Sequence, residues 1–186
     1  MILTSLLMLG VFTTGNLYGQ DDLDDTHKVT VVIPEVALVD IEPAVSKDIT
    51  FTLTAPTEAG NALTITNDTN TTLWLNYSSI LDDATKRTIS VKLNPLIAGV
   101  DLQLTANAPS TTGDGELGTG LGPITLTTDD QNLVEDIGSC YTGNGSDNGH
   151  NLTYKLLIAE DLTTSSYADL VANTGAETTV TYTISE

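Results

Sequence analysis

The sequence predicts an all-β protein: a single-domain antiparallel β-sandwich, either immunoglobulin-like or jelly-roll. Three observations predict this class. Apolar and polar residues alternate in short stretches along most of the chain, which is the pattern of strands with one buried face. Turn residues separate these stretches at short intervals. Finally, 40% hydrophobic against 17% charged residues leaves enough apolar side chain to bury a core.

About ten stretches carry this alternation, and each is expected to form a strand. They are residues 28–33, 36–41, 49–54, 63–66, 73–77, 88–93, 101–105, 123–127, 152–158 and 178–185. Only two short stretches, residues 131–137 and 166–172, are candidates for helices, and neither is long enough to change the fold class. Residues 108–122 are rich in Gly, Ser and Thr and are expected to form a long hairpin loop.

Residues 1–19 have the layout of a secretory signal peptide. They carry no charged side chain, they are mostly apolar as far as Phe12, and an acidic stretch begins at Asp21. The run is too short to anchor a protein in a bilayer, so cleavage after Gly19 is expected. The alternative is a buried N-terminal element that the mature protein keeps. Export predicts a secreted or cell-surface protein whose sandwich domain spans residues 20–186, with no membrane insertion of the mature chain.

The chain is strongly acidic, with 25 acidic and 6 basic residues and a net charge of −19. Nucleic-acid binding depends on Lys and Arg that neutralise phosphates, so no nucleic-acid partner is expected. Cys140 is the only cysteine, which excludes an intrachain disulfide. We expect it to be a small buried residue, although a lone cysteine in an exported protein can also pair between chains or react.

A glycine-rich loop, residues 141–151 (YTGNGSDNGHN), is the sharpest local motif. It crowds oxygen atoms from Asn144, Ser146, Asp147 and Asn148 into a short span, as calcium sites do. The loop lacks the EF-hand spacing, and a tight, self-hydrogen-bonded turn is the alternative. No cofactor is expected apart from calcium at this loop.

The sequence contains no pattern typical of an active site, so the protein is not expected to be an enzyme. Cys140 and His150 flank the glycines and could form a nucleophile and its base, but no residue nearby indicates an activated thiolate. Trp74 and Tyr141 are candidate ligand-binding aromatic residues. Trp74 alternates with Leu73 and Leu75, so it either lies on an exposed face or faces the second sheet, and the second arrangement is favoured.

Four stretches resemble uncharacterised secreted β-sandwich surface proteins of bacteria. They are VVIPEVALVDIEP (residues 31–43), TLWLNYSSI (72–80), YTGNGSDNGHNLTY (141–154) and TTVTYTIS (178–185). The ending is also faintly similar to pilin-like spore-coat and fimbrial domains and to WxL-type surface domains, which close on a strand rich in Thr and Tyr. The resemblance implies a β-sandwich at the cell surface and brings no known activity.

These observations lead to two functional hypotheses. The first is a structural or adhesive surface protein, such as a fibre or pilus-like subunit, that associates with itself or with other surface proteins. In that case the predicted strand at residues 28–33, with Val29, Val31 and Ile33 on one face, is exchanged between subunits by strand addition. The alternative for this strand is pairing within its own domain. The second hypothesis is an extracellular carbohydrate- or calcium-dependent binding module.

Overall fold

The alternating stretches fold into antiparallel strands and make the protein nearly all β, as predicted. The structure, a computed structural model, describes residues 24–158 and 161–185. The predicted signal peptide lies outside the described residues. Pro34–Glu186 form one compact unit, and residues 24–33 are described separately below.

The strands differ widely in length. The longer ones are β1 (Val36–Glu42), β4 (Thr69–Ile80), β5 (Arg87–Asn94), β6 (Asp101–Pro109), β10 (Gln131–Ile137), β12 (His150–Leu157) and β13 (Thr179–Ile184). Two-residue strands are β2 (Leu53–Thr54), β3 (Thr64–Ile65), β7 (Asp114–Gly115), β8 (Thr119–Gly120), β9 (Ile124–Thr125) and β11 (Cys140–Tyr141).

Strand β4 organises the larger sheet, whose order is β7-β11-β4-β12-β6-β9 with β1 also paired to β4. β1 covers Trp74–Ile80 on one edge of β4, from Glu42 opposite Trp74 to Val36 opposite Ile80. On the other edge, β12 and β11 pair with successive parts of β4. The long strand therefore holds β1, β11 and β12 in one sheet.

The second sheet has the order β13-β5-β10-β8, and β2 and β3 form a small separate pair. Every other residue of β5 is buried, as the period of two predicts. Residues of β4 and β5 meet in one hydrophobic cluster, so the two sheets pack face to face as a sandwich. The central members of this cluster are Leu73, Leu75, Tyr77, Ile89, Val91, Leu93, Leu104, Leu133, Val134 and Leu152.

Residues 131–137, one of the two candidate helices, form strand β10 instead. Its pairing with β5 shifts register between Asn132 and Val134 and again between Val134 and Ile137, and Asp136 has a positive φ of 61°. Bulges of this kind break the period of two. They place Leu133, Val134 and Ile137 all in the core at a spacing that imitates a helix.

Four other stretches differ from the prediction in the extent of their regular structure. Residues 166–172 contain a single 3-10 turn at Tyr167–Asp169. Within the predicted strands at 49–54 and 63–66, pairing is limited to β2 and β3. The predicted loop at 108–122 contains β7 and β8.

Arg87 ties the two sheets together at one end of the sandwich. It begins β5, and only 3% of it is exposed. Its Nη1 donates to the carbonyl oxygen of Val36 at 2.6 Å, and to Ser79 Oγ and the carbonyl oxygen of Ile80, both at 3.1 Å. Its Nη2 forms an ion pair with the carboxylate of Glu35. The guanidinium group therefore joins the start of β1, the end of β4 and the start of β5.

Asp101, at the start of β6, anchors the segment that follows residue 160. It is 2% exposed and accepts hydrogen bonds from the backbone N–H groups of Thr163 and Thr164. The hydroxyl groups of Thr163, Thr164 and Ser165 also donate to it. Burial alone would raise the pKa of Asp101, but the hydrogen bonds from Thr164 and Thr163 outweigh burial and lower that pKa to about 2.

Candidate functional site

Residues 28–33, called segment 28–33 below, form no strand in this structure. The prediction of a strand here was wrong for the structure described, and exchange of this segment between subunits stays a prediction. Alternation alone does not make a strand, because the backbone also needs a hydrogen-bonding partner. The three side chains of the predicted apolar face are largely exposed, with Val29 at 77%, Val31 at 75% and Ile33 at 73%.

The glycine-rich loop docks onto β4 through Asn76. The Asn76 side chain donates from Nδ2 to the carbonyl oxygen of Asn148 at 2.7 Å and accepts from the Gly145 N–H at 2.7 Å. Gly149 has a φ of +68°, and a Cβ there would overlap the carbonyl oxygen of Leu75. The close approach of loop and strand therefore requires glycine at this position.

The proposed calcium ligands lie together in this loop, and hydrogen bonds within the loop already engage the backbone carbonyl oxygens of two of them. The Asn148 amide donates to the carbonyl oxygens of Asn144 at 2.8 Å and Ser146 at 3.3 Å. This is the arrangement of a self-hydrogen-bonded turn, the alternative stated above. Within residues 24–158 and 161–185, no group of three or more His, Cys, Asp and Glu side chains could hold a metal ion. Calcium binding at this loop stays a prediction.

His150 ends the loop as a fully buried side chain at the start of β12. Its Nδ1 donates to the carbonyl oxygen of Asn107 at 2.6 Å, and its Nε2 lies 2.8 Å from the hydroxyl of Tyr77. The Tyr77 hydroxyl also contacts the carbonyl oxygen of Leu117. Burial lowers the pKa of His150, although backbone hydrogen bonds oppose that effect. His150 is therefore neutral near pH 7 and acts as a buried connector of three segments.

Cys140 is buried, as predicted. Burial raises the pKa of its thiol to about 11, against a smaller opposite effect of Lys86. An activated cysteine has a lowered pKa, so this thiol is not primed as a nucleophile. Both ring nitrogens of His150 already have neighbours at hydrogen-bonding distance.

A shallow groove of about 340 Å³, called the outer groove below, lies on the outer face of the larger sheet. Tyr141 and Asn144 both line it, so the structure brings two predicted site residues together. The other lining residues are Leu38, Val39, Asp40, Asn76, Tyr77, Ser78 and Gly143. Lys47 donates to Asp40 at 3.0 Å and lowers the pKa of that carboxyl group, so Asp40 is ionised in the groove near neutral pH.

Trp74 lies on the same outer face of the sheet as Tyr141. Leu73 and Leu75 are buried in the core, so the side chain between them points the other way, and the favoured orientation toward the second sheet was wrong. Tyr141 is 54% exposed and pairs with Ser78 of β4, four residues along the strand from Trp74. The two aromatic residues are therefore roughly 13 Å apart along the sheet.

Comparison with known proteins finds no matching family model, no matching curated protein and no matching solved structure. In the part of the chain that the structure describes, no helix has the length and apolar character needed to cross a bilayer. The functional argument therefore depends on the contacts of this chain alone.

Proposed function

We propose that the protein is an exported structural or adhesive protein of the cell surface, a subunit that assembles by β-strand addition. Segment 28–33 is the strand that one subunit donates to another. The exposed apolar face of Val29, Val31 and Ile33 carries this proposal. Burying one such side chain stabilises a complex by about 1.5–3 kcal/mol, so three of them form a substantial binding element.

The composition of segment 28–33 also favours strand addition. It reads KVTVVI and contains β-branched residues, no acidic residue, no Pro and no Gly. Lys28 is one of only 6 basic residues in a chain with a net charge of −19. The donated segment therefore adds no negative charge where two acidic subunits meet. Because repulsion between acidic subunits is screened by salt, assembly should strengthen as the salt concentration rises.

The mature chain is expected to form concentration-dependent oligomers or filaments, and Val31→Asp is expected to abolish them. The substitution places a charge on the face that assembly buries, where an unpaired charge is strongly unfavourable. Thr30→Asp is the matched control, since it adds the same charge to the same segment on the opposite face. Light scattering after gel filtration, with negative-stain imaging, measures the outcome. A chain that stays monomeric at every concentration and salt level contradicts the proposal.

A carbohydrate-binding module is the second candidate, and the outer groove favours it. Aromatic rings stack on sugar faces while polar groups bind the hydroxyls, and the groove offers Tyr141 beside Asp40 and Asn144, with Trp74 further along the sheet. Trp74 is only partly exposed, which makes Tyr141 the better test position.

If this second candidate is correct, Tyr141→Ala should weaken binding to a glycan identified by array screening at least about tenfold, a loss of roughly 1.4 kcal/mol. Tyr167→Ala removes a 40%-exposed tyrosine that does not line the outer groove, so it should leave the affinity unchanged. Titration calorimetry measures both. Equal losses in the two variants, or no glycan bound at all, would discard this candidate.

A further inference from the structure

Strand β13 leaves one edge of the second sheet open. It pairs with β5 on one side and stands at the end of the strand order, and no described strand is hydrogen-bonded to its other side, although β1 of the larger sheet lies close to it. Its sequence, TVTYTI, has no charged residue, no Pro and no Gly. Natural proteins usually protect edge strands with charges, prolines or bulges. β13 therefore has none of these features within its own sequence.

The backbone of β13 shows which of its groups face the open edge. The N–H of Ser185 donates to the carbonyl oxygen of Thr88 at 2.8 Å, so Ser185 points its backbone groups toward β5. Backbone groups alternate in direction along an antiparallel strand. Those of Val180, Tyr182 and Ile184 therefore face away from β5, where they can receive another strand.

The same three residues also turn their side chains inward. Val180, Tyr182 and Ile184 pack against the core but are only partly buried, whereas Ile89 and Val91 of the neighbouring β5 are completely buried. The core is thus incompletely covered along the β13 edge. A strand added there would bury its own inward side chains beside these three.

The comparable edge, that of β1, is better protected. β1 carries Asp40 and Glu42, and Pro34 and Pro43 flank it on either side. Charges and prolines disfavour the addition of a further strand. Of the long strands at the margins of the two sheets, β13 is therefore the better acceptor.

We propose that the open edge of β13 accepts segment 28–33 of a second copy of this chain, in antiparallel register. This inference rests on the strand addition proposed above and adds the acceptor surface. Val29, Val31 and Ile33 then lie opposite Ile184, Tyr182 and Val180, respectively, so that all six side chains face the core. The two alternating patterns have the same length and spacing, and each lacks acidic residues.

The register makes Thr30 and Thr183 direct neighbours. Because the inward residues form the hydrogen-bonded pairs, Thr30 and Thr183 form a non-hydrogen-bonded pair with Cα atoms about 4.5 Å apart, within the range that a disulfide can bridge. Thr179 is the matched control position on the same face of β13. It lies four residues from Thr183, about 13 Å along the strand, which is beyond disulfide reach of Thr30.

The test mixes full-length mature chains that carry one added cysteine each, with the buried Cys140 left in place. Thr30→Cys is oxidised with Thr183→Cys or, separately, with Thr179→Cys, and mass-tagged products are separated on a non-reducing gel. The expected result is a disulfide-linked heterodimer with the Thr183→Cys chain in at least about tenfold excess over that with the Thr179→Cys chain. Reduction should break this heterodimer, and a Val31→Asp substitution in the Thr30→Cys chain should prevent its formation.

The outcomes separate this inference from the proposed function. If the wild-type chain assembles and Val31→Asp abolishes assembly, yet the two mixtures give equal yields or no heterodimer, strand addition holds and the assignment to β13 is overturned. If a chain with both Thr30→Cys and Thr183→Cys closes only on itself as a monomer, the second copy is excluded. If the wild-type chain never assembles, the proposed function and this inference both fail.

Discussion

Replacing Arg87 by alanine is expected to lower the free energy of unfolding by about 3–5 kcal/mol, because it removes several hydrogen bonds from a charged group, which contribute about 1.5–3 kcal/mol each. The substitution removes the donors that the carbonyl oxygens of Val36 and Ile80 use, and it releases Glu35. It also leaves a cavity between the ends of the two sheets. For a domain of this size the melting temperature should fall by roughly 6–20 °C.

Two further variants identify the cause of that loss. Arg87→Met restores most of the apolar volume without the hydrogen bonds, so it should remain strongly destabilised if the hydrogen bonds matter most. Lys92→Ala, on the same strand, removes an exposed ion pair with Asp130 and should change stability by less than about 1 kcal/mol. Chemical denaturation measures all three. An Arg87→Ala protein as stable as the Lys92→Ala protein would show that the hydrogen bonds and the ion pair of Arg87 contribute little to stability.

Asp101→Asn is expected to destabilise the domain by about 2–3 kcal/mol at neutral pH, because hydrogen bonds to a charged group are the strong ones. The amide keeps one acceptor oxygen but turns an NH₂ group toward donors of Thr163, Thr164 and Ser165. Loss of these contacts should also expose residues 161–166 to faster amide hydrogen exchange. Asp48→Asn, an exposed acid elsewhere, is the control and should leave stability unchanged within about 0.5 kcal/mol.

The lowered pKa of Asp101 also predicts that the free energy of unfolding depends on pH. The pKa of Asp101 is about 2 in the folded protein, against about 3.9 in an unfolded chain. The stabilisation is therefore fully present above pH ~4 and is lost as pH falls toward 2, a loss of about 2.5 kcal/mol. Denaturation curves between pH 7 and pH 2 should show the difference between wild type and Asp101→Asn shrinking over this range. A difference that stays constant would contradict this account.

Local alternation was sufficient to predict the two central strands. In β4 and β5 the apolar residues recur at every second position, and the structure buries Leu73, Leu75, Ile89 and Val91 accordingly. The signal failed where pairing is irregular, as in β10, and in segment 28–33, which alternates but forms no strand in the structure described. In both cases the decisive information is the neighbouring strand, which a local pattern does not contain.

The buried polar residues could not be predicted from the sequence for a related reason. The partners of Asp101 lie more than 60 residues further along the chain, and the Tyr77–His150 contact spans 73 residues. From the sequence alone, a single Asp, Arg or His in an alternating stretch cannot be distinguished from a surface residue, because its hydrogen-bonding partners are known only from the packed structure. The outer groove is likewise formed by β1, β4 and the glycine-rich loop together, so the sequence identified Tyr141 and Asn144 without showing that they share one surface.

The single, inaccessible sulfur of Cys140 has a practical consequence for how this domain is made. The fold contains no intrachain disulfide bond, because the chain has one cysteine. That residue, Cys140, is only 6% exposed. Folding therefore needs no disulfide isomerase or glutathione couple, and refolding cannot be trapped by mispaired bridges. The sandwich should reach the same native state in the reducing cytosol of an expression host as in an oxidising compartment.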